Sequence, residues 1–310
     1  MKAFRFGLQM LGAAGRDEWA DGARRAEDLG FSTLTVADHL VEGCISPFAA
    51  LAAAAETTSS LRIGTLVLNN DLRHPALVAR EVLTLDSLSH GRVELGIGAG
   101  HGFPEYESVG LPFDDLPTRV ARLGEAVEVV DSLLRGEEVT FDGDHYQLRA
   151  HRAWPQPTQS PRPPILVGGN GRRLLGIAAE RADIVALSGT GRTKADGLTH
   201  EATGFPPDAV DERIAVVRVA AADRDVELHA LVQRVVVTDD PHGAAERVRV
   251  HVPELTVEDI LATPYLWIGS VEAICEHVIA ARERWGFSYF TVFEHSLEAA
   301  STVVTRLAAG

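Results

Sequence analysis

Short apolar runs alternate along this chain with longer segments whose apolar positions recur every three to four residues. The alternation predicts βα units in a parallel sheet. FRFGLQM (Phe4 to Met10) reads as a first strand, followed by a helix from Asp17 to Leu29 that Gly30 stops. TLTVADH comes next, then an alanine-rich helix opening at Ser46–Pro47, where a first-turn proline sacrifices no hydrogen bond. RIGTLVLN (Arg62 to Asn69) leads into a helix from Pro75 to Leu88, and VELGIGAG (Val93 to Gly100) leads, after a long loop, into one from Thr118 to Leu134. The rhythm then breaks: VTFDGDHYQL reads as a hairpin around Asp142–Gly143, and WPQPTQSPRPP as a proline-stiffened return. PILVGG, ADIVALS, VELHALVQRVVVT and SYFTVFEHS supply the remaining strands. Eight units predict an α/β fold, a (β/α)8 TIM barrel in a single domain over residues 1–310. A hairpin and proline-rich excursion falls between strands 4 and 5, and a long Gly-rich loop follows strand 6. An open doubly wound sheet is the competing architecture.

Composition narrows the partners. With 44 Asp and Glu against 29 Lys and Arg, the net charge is −15, so the long-range field repels nucleic acid and anionic membranes. Neither is expected as a partner, and a polyanionic ligand would need a local positive patch. Cys44 and Cys275 are far apart and form no disulfide framework or thiolate metal site, which suits a reducing compartment. MKAFRFGLQM lacks a signal-peptide pattern and no apolar run matches a bilayer, so a cytoplasmic protein is expected.

In such a barrel the chemistry belongs where the βα loops gather, at the C-terminal ends of the strands. Strand parity puts Thr33, Thr35, Ala37 and His39 on the lumen face and turns Leu34 and Val36 to the helices, with Asp38 among them unless the chain has already left the strand there. His39 therefore points into the mouth, and with an ordinary pKa of about 6.5 an imidazole there can take or give a proton. The alternative is a histidine satisfied by neighbouring backbone. GTLVLNND ends in a polar Asn69–Asn70–Asp71 turn. GIGAGHG has glycines at every second position, 96 to 102, which is not the dinucleotide spacing; alternate glycines permit a flat group to approach the backbone. No helix is expected to open directly after it. ILVGGNGRRLLGIAAE is more specific, because a strand passes through Gly168–Gly169–Asn170–Gly171 into a helix whose first turn carries Arg172 and Arg173. Free N–H groups, glycines and two guanidinium groups make a phosphate site, and without an anion the arginines oppose the helix dipole. There is no nucleophile elbow, zinc-protease helix or Walker sequence, and no metal ligand set is expected. An organic cofactor bearing a phosphate is the expected carrier of the chemistry.

Nearly end to end the chain resembles the bacterial luciferase-like family, and within it the branch of deazaflavin (coenzyme F420)-dependent oxidoreductases. The resemblance is carried by VADHL, by GTLVLNN with HPALVAREVLTLDSLSHGRVELGIGAG, by ILVGGNGRR and by GFSYFTVFE. It implies a tricyclic ring at the barrel mouth, His39 as the proton-donating or ring-stabilising residue, Asp38 as a cofactor contact, and a non-proline cis peptide at Leu66–Val67. Asn69, Ala99, Gly100 and His101 would line the ring and linker, Gly168, Gly169, Gly171 and Arg172 the phosphate, and Ser188 the edge of the substrate space. Glu294 and His295, after the last strand, are further candidates for substrate contact. His101 stands where the sugar-phosphate dehydrogenases of this family carry a glutamate, and their phosphate-binding lysines and arginine have no evident match. Oxidation of glucose 6-phosphate is therefore not expected.

The reading that follows is an F420-dependent oxidoreductase moving a hydride between the deazaflavin and a small organic substrate. Arg172, Arg173, Arg192 and Lys194 suit a long anionic tail better than one phosphate, which favours F420 over FMN. An FMN-dependent luciferase-like monooxygenase is the first alternative. A non-catalytic flavin-binding protein, with its mouth plugged by residues 189–206, is the second, and a cofactor-free lyase or isomerase needing a strand-end lysine is the third. A homodimer is implied by the family resemblance.

Overall fold

The computed structural model describes residues 2–197 and 199–308. Its central strands are β1 (Arg5–Met10), β2 (Thr33–Val36), β3 (Arg62–Thr65), β4 (Val93–Gly98), β5 (Ile165–Gly168), β6 (Ile184–Leu187), β7 (Glu227–Val232) and β8 (Phe287–Phe293). All pair in parallel, and the β1–β8 and β3–β4 pairings close the sheet into a barrel. The barrel is the one predicted, and the open-sheet alternative falls with that closure. The flanking helices are α1 (Arg16–Asp28), α2 (Pro47–Thr57), α3 (Pro75–Leu88), α4 (Leu116–Leu134), α5 (Arg172–Arg181), α6 (Pro207–Ala221), α7 (Val271–Trp285) and α8 (Leu297–Ala308).

Parity sorts the side chains as an alternating strand must. Leu34 and Val36 of β2 and Ile63 of β3 are fully buried in the layer beneath the helices. The lumen is polar at its N-terminal end: Arg5 bonds Glu94 at 2.9 Å, lies 3.5 Å from Glu227 and stacks over Tyr289 at 4.2 Å. Arg62 completes this plug on Glu94, so that end of the barrel is filled by paired charges.

Three local departures from the predicted strand and helix pattern matter for the site. The strand expected from Arg62 to Asn69 is broken after Thr65: the chain passes through the cis Leu66–Val67 peptide that the family resemblance implied and resumes as Leu68–Asn69 beside Ile97–Gly98. A short helix, Phe103–Ser108, opens directly behind Gly102 with Pro104 in its first turn, where a loop was expected. The run VELHALVQRVVVT is split: the Gln233 N–H donates to the Tyr265 carbonyl, and Arg234–Val237 leaves the barrel to pair in parallel with Leu266–Gly269. The excursion between β4 and β5 is an antiparallel hairpin, Glu138–Asp142 with Gln147–Arg152, as predicted.

Candidate active site

A cavity of about 1080 Å³ opens among the loops that follow the strands' C-terminal ends. The end of β2 contributes Asp38 and His39, the β3 extension Leu66, Val67 and Asn69, and the end of β4 Ala99, Gly100 and His101. Gly168, Gly169, Gly171 and Arg172 line it from the β5 turn and Ser188 from the end of β6. Glu294 and His295 do not line it, although Phe293 does. The last turn of the barrel, Glu294–Ser296, winds into a 3-10 helix that stacks His295 on the Phe293 ring at 5.7 Å.

His39 is the only predicted catalytic side chain, and its partner was not predicted. Its Nδ1 lies 2.8 Å from Oε1 of Glu105, whose Oε2 accepts the Leu40 N–H at 2.6 Å. On the cavity side the His39 ring meets the edge of His101 at 5.1 Å, and His101 in turn faces His200 at 4.7 Å. Burial pushes His101 down to about 4, with His39, His200 and Arg119 adding to the shift. Burial also lowers His200, the largest of its causes. Both imidazoles are therefore neutral at neutral pH. Among the described residues no group of three or more His, Cys, Asp or Glu is arranged to hold a metal.

Asp38 was placed by parity on the helix side, yet it lines the cavity because the strand ends at Val36. Its carboxylate is already engaged: Oδ2 accepts the Asn69 N–H at 3.0 Å and Arg73 grips both oxygens. Asp38 thus holds the β3 extension in place. Asn69 is fixed likewise, its Oδ1 accepting from the Asp71 N–H and from the Tyr106 hydroxyl. Below them Gln9 donates to the Leu66 carbonyl at 3.2 Å and accepts from the Thr35 hydroxyl.

The alternate glycines of β4 turn out to make room for the protein itself. A Cβ at Gly98 would sit 2.8 Å from Val67 Cγ2, one at Gly96 would overlap the Thr65 carbonyl oxygen, and one at Gly168 would meet Val67 Cγ1 at 3.0 Å. This packing requires glycine at those positions with or without a ligand, and Gly98 and Gly168 also line the cavity. Deeper in the lumen His229 is fully buried, with Nε2 on the Thr291 hydroxyl at 2.8 Å and Nδ1 without a protein partner among the described residues. Burial holds His229 down at about 3, so it is a neutral polar group on the cavity wall.

At the other side α5 begins behind Gly171, with no side-chain cap and no acid in its first turn. Arg172 and Arg173 are exposed and form no ion pair among the described residues, whereas Arg181 at the far end of the helix pairs with Glu128 at 2.8 Å. The Asn170 side chain ties this turn to Ser188 and Thr190, at 2.8 and 3.0 Å. Arg213 of α6 donates to the Asn170 and Gly204 carbonyls and Arg119 of α4 to the Gly100 carbonyl, and both line the cavity. The long loop after β6 folds over the mouth: Arg192, Thr193 and His200 line the cavity, and Gly197 packs on Pro104.

Glu105, Tyr106, Arg119, His200, Arg213 and His229 escaped the sequence reading. The one available signal was Pro104 beside an acid, a helix-start pattern masked by the glycines before it.

The model of luciferase-like monooxygenases matches residues 3–255. An F420-dependent glucose-6-phosphate dehydrogenase of Intrasporangium calvum is 33% identical over 258 residues, which cover 79% of this chain and 73% of that relative. One from Beutenbergia cavernae is 37% identical over 175 residues, covering 54% of this chain and 51% of the relative, so that match spans about half its length. Among solved structures, an F420-dependent secondary alcohol dehydrogenase in complex with an F420–acetone adduct superposes with a TM-score of 0.76 at 20% identity, covering 99% of each chain. The coenzyme F420 dependent tetrahydromethanopterin reductase from Methanopyrus kandleri gives 0.76 at 18%, covering 98% of this chain and 99% of that one. At these identities the structural likeness speaks for the fold.

Proposed function

The chain belongs to the luciferase-like monooxygenase family, and from that premise we propose that it is an F420-dependent oxidoreductase acting on a small organic substrate. The observation that carries this reading is that His39 and the Gly168–Arg172 turn line one cavity. The residues suit the cofactor. An uncapped helix start with two guanidinium groups that form no ion pair among the described residues offers donors for an anionic tail, and the apolar Leu66 and Val67 with Ala99 offer a surface for a flat ring. When bound, the deazaflavin supplies the hydride chemistry.

The chain's own residues do the rest. Gly168, Gly169, Gly171 and Arg172 hold the phosphate, and Asn69, Gly100 and His101 border the ring with Leu66 and Val67. Asp38 keeps that wall in position through Asn69 and Arg73. His39 gives or takes the proton that accompanies the hydride, and Ser188 borders the substrate. Arg192, Thr193 and His200, from the loop after β6, border the same cavity. The same reading takes the protein as a cytoplasmic homodimer; no helix among the described residues is long and apolar enough to cross a membrane.

Titrating the purified protein with F420 and with FMN tests the cofactor. Tighter binding of F420 is expected, and tighter FMN binding with oxygen-dependent turnover would replace this reading by the monooxygenase. His39→Ala is expected to lower turnover by roughly 10²-fold or more, the size of a general acid–base contribution. Cofactor affinity should stay within a few-fold, and unchanged turnover would remove the catalytic assignment.

A further inference from the structure

We propose that Glu105 is a positioning residue for His39, fixing it in the tautomer that carries its proton on Nδ1 and leaving Nε2 to exchange a proton in the cavity. Glu105 is only 5% exposed, and a carboxylate so placed is costly unless its oxygens are satisfied. Both are, and by consecutive residues: Oε1 lies 2.8 Å from His39 Nδ1, and Oε2 accepts the Leu40 N–H at 2.6 Å. An ionised carboxylate has no proton to donate, so the nitrogen facing it must. The two-point grip also stops the carboxylate from rotating.

The chain around Glu105 is built to hold it there. Gly102 starts the short helix in the left-handed conformation, at φ 84°, and a Cβ on it would lie 2.6 Å from Glu105 Oε1. Arg119 anchors the preceding turn through the Gly100 carbonyl. Among the described residues His39 is the one ion-pair partner of Glu105, while neighbouring Tyr106 is engaged with Asn69 and Asp71 instead. Nε2 of His39 has no protein partner among the described residues. When it takes a proton from a substrate hydroxyl, the charge formed lies beside the Glu105 carboxylate; when it returns one to a substrate oxygen, the neutral tautomer is restored.

This proposal rests on the reading of His39 as the proton-handling group, but its test does not require the cofactor. With histidine ¹⁵N-labelled, two-bond ¹H–¹⁵N spectra report which ring nitrogen is protonated, and loss of the signal in His39→Asn assigns it. With its ring neutral, wild-type His39 is expected to carry its proton on Nδ1. In Glu105→Gln the amide oxygen stays on the Leu40 N–H and its NH₂ faces Nδ1, so the proton is expected to move to Nε2. Glu107→Gln, an exposed neighbour on the same helix, should leave the spectrum unchanged. A wild-type proton on Nε2, or a Glu105→Gln spectrum like the wild type, would overturn the proposal. If Glu105→Gln does not fold, the wild-type spectrum alone decides. In F420-loaded protein the same substitution should lower kcat by roughly 10²-fold with cofactor affinity within about twofold. Failure to bind F420, with the tautomer as expected, would sink the cofactor reading and leave the pairing standing.

Discussion

Gly100 shows how one missing side chain supports the wall of the site. Its φ is 76°, and a Cβ there would overlap both the Tyr106 hydroxyl and Asn69 Oδ1, the two atoms whose hydrogen bond closes that wall. Gly100→Ala is therefore expected to destabilise the fold by about 1–3 kcal/mol, the combined size of a left-handed alanine and a broken buried contact. Urea denaturation would measure it, and a loss below about 0.5 kcal/mol would contradict the packing. His101 carries a second residue-level consequence. Its proton affinity is depressed on folding, to about 4 from an ordinary 6.5, because burial disfavours the imidazolium. Between those values the unfolded chain binds more protons than the native one, so stability falls as pH drops from about 6.5 to 4 and is fully present above that window. His229 acts in the same direction, down to about 3. Replacing His101 with Asn should flatten the fall by about 1–3 kcal/mol, read from denaturation midpoints at neutral pH and near pH 4.

At the scale of elements, β4 and the cis turn behind β3 form one structural unit. Gly96, Gly98 and Gly168 surround Thr65 and Val67 so closely that any side chain would press on the Thr65 backbone or the branched Val67 side chain. Gly96→Ala should accordingly cost more than Gly100→Ala, since the overlap is with a backbone carbonyl that cannot rotate away. A melting temperature close to wild type would show that the turn yields instead. The long periodic elements were legible in the sequence because burial imposes their period directly, and the β5 turn was legible because glycines and arginines are contiguous there. What was not legible is non-local or short. The Phe103–Ser108 helix is under two turns, too brief for a period to register. Glu105 meets His39 across 66 positions, a contact that no local pattern encodes. Parity turned Asp38 to the helices because the strand ends earlier, at Val36, and the packing of the β4 glycines on the cis turn was not legible because that turn comes from another strand.

At the scale of the whole molecule, a chain of net charge −15 gathers positive charge at one side of its mouth. The arginines lining the cavity, Arg119, Arg172, Arg173, Arg192 and Arg213, all follow β4, β5 or β6 in the chain. Among the described residues the opposite half, from the ends of β7, β8, β1 and β2, contributes groups such as Gln9, Leu11, His39, Leu231, Gln233 and Phe293, and no lysine or arginine. Such a division separates an anionic partner from an uncharged one within a single cavity, because a phosphate placed on the second half would face an acidic protein without a counter-charge. Two consequences follow. Removing both guanidinium groups, in Arg172→Ala with Arg173→Ala, should weaken F420 binding about 10- to 100-fold, as expected for losing charge-assisted hydrogen bonds at a partly exposed site. Raised salt should reproduce part of that loss in the wild type and little of it in the double variant. The second consequence concerns the sugar-phosphate relatives: their named substrate would bring a second phosphate into the half that lacks cations. Glucose 6-phosphate is therefore expected to give no F420 reduction above background, followed by loss of the cofactor's visible absorbance. Turnover with it would show that the anionic substrate shares the arginine side, and that the two halves of the mouth are not divided by charge.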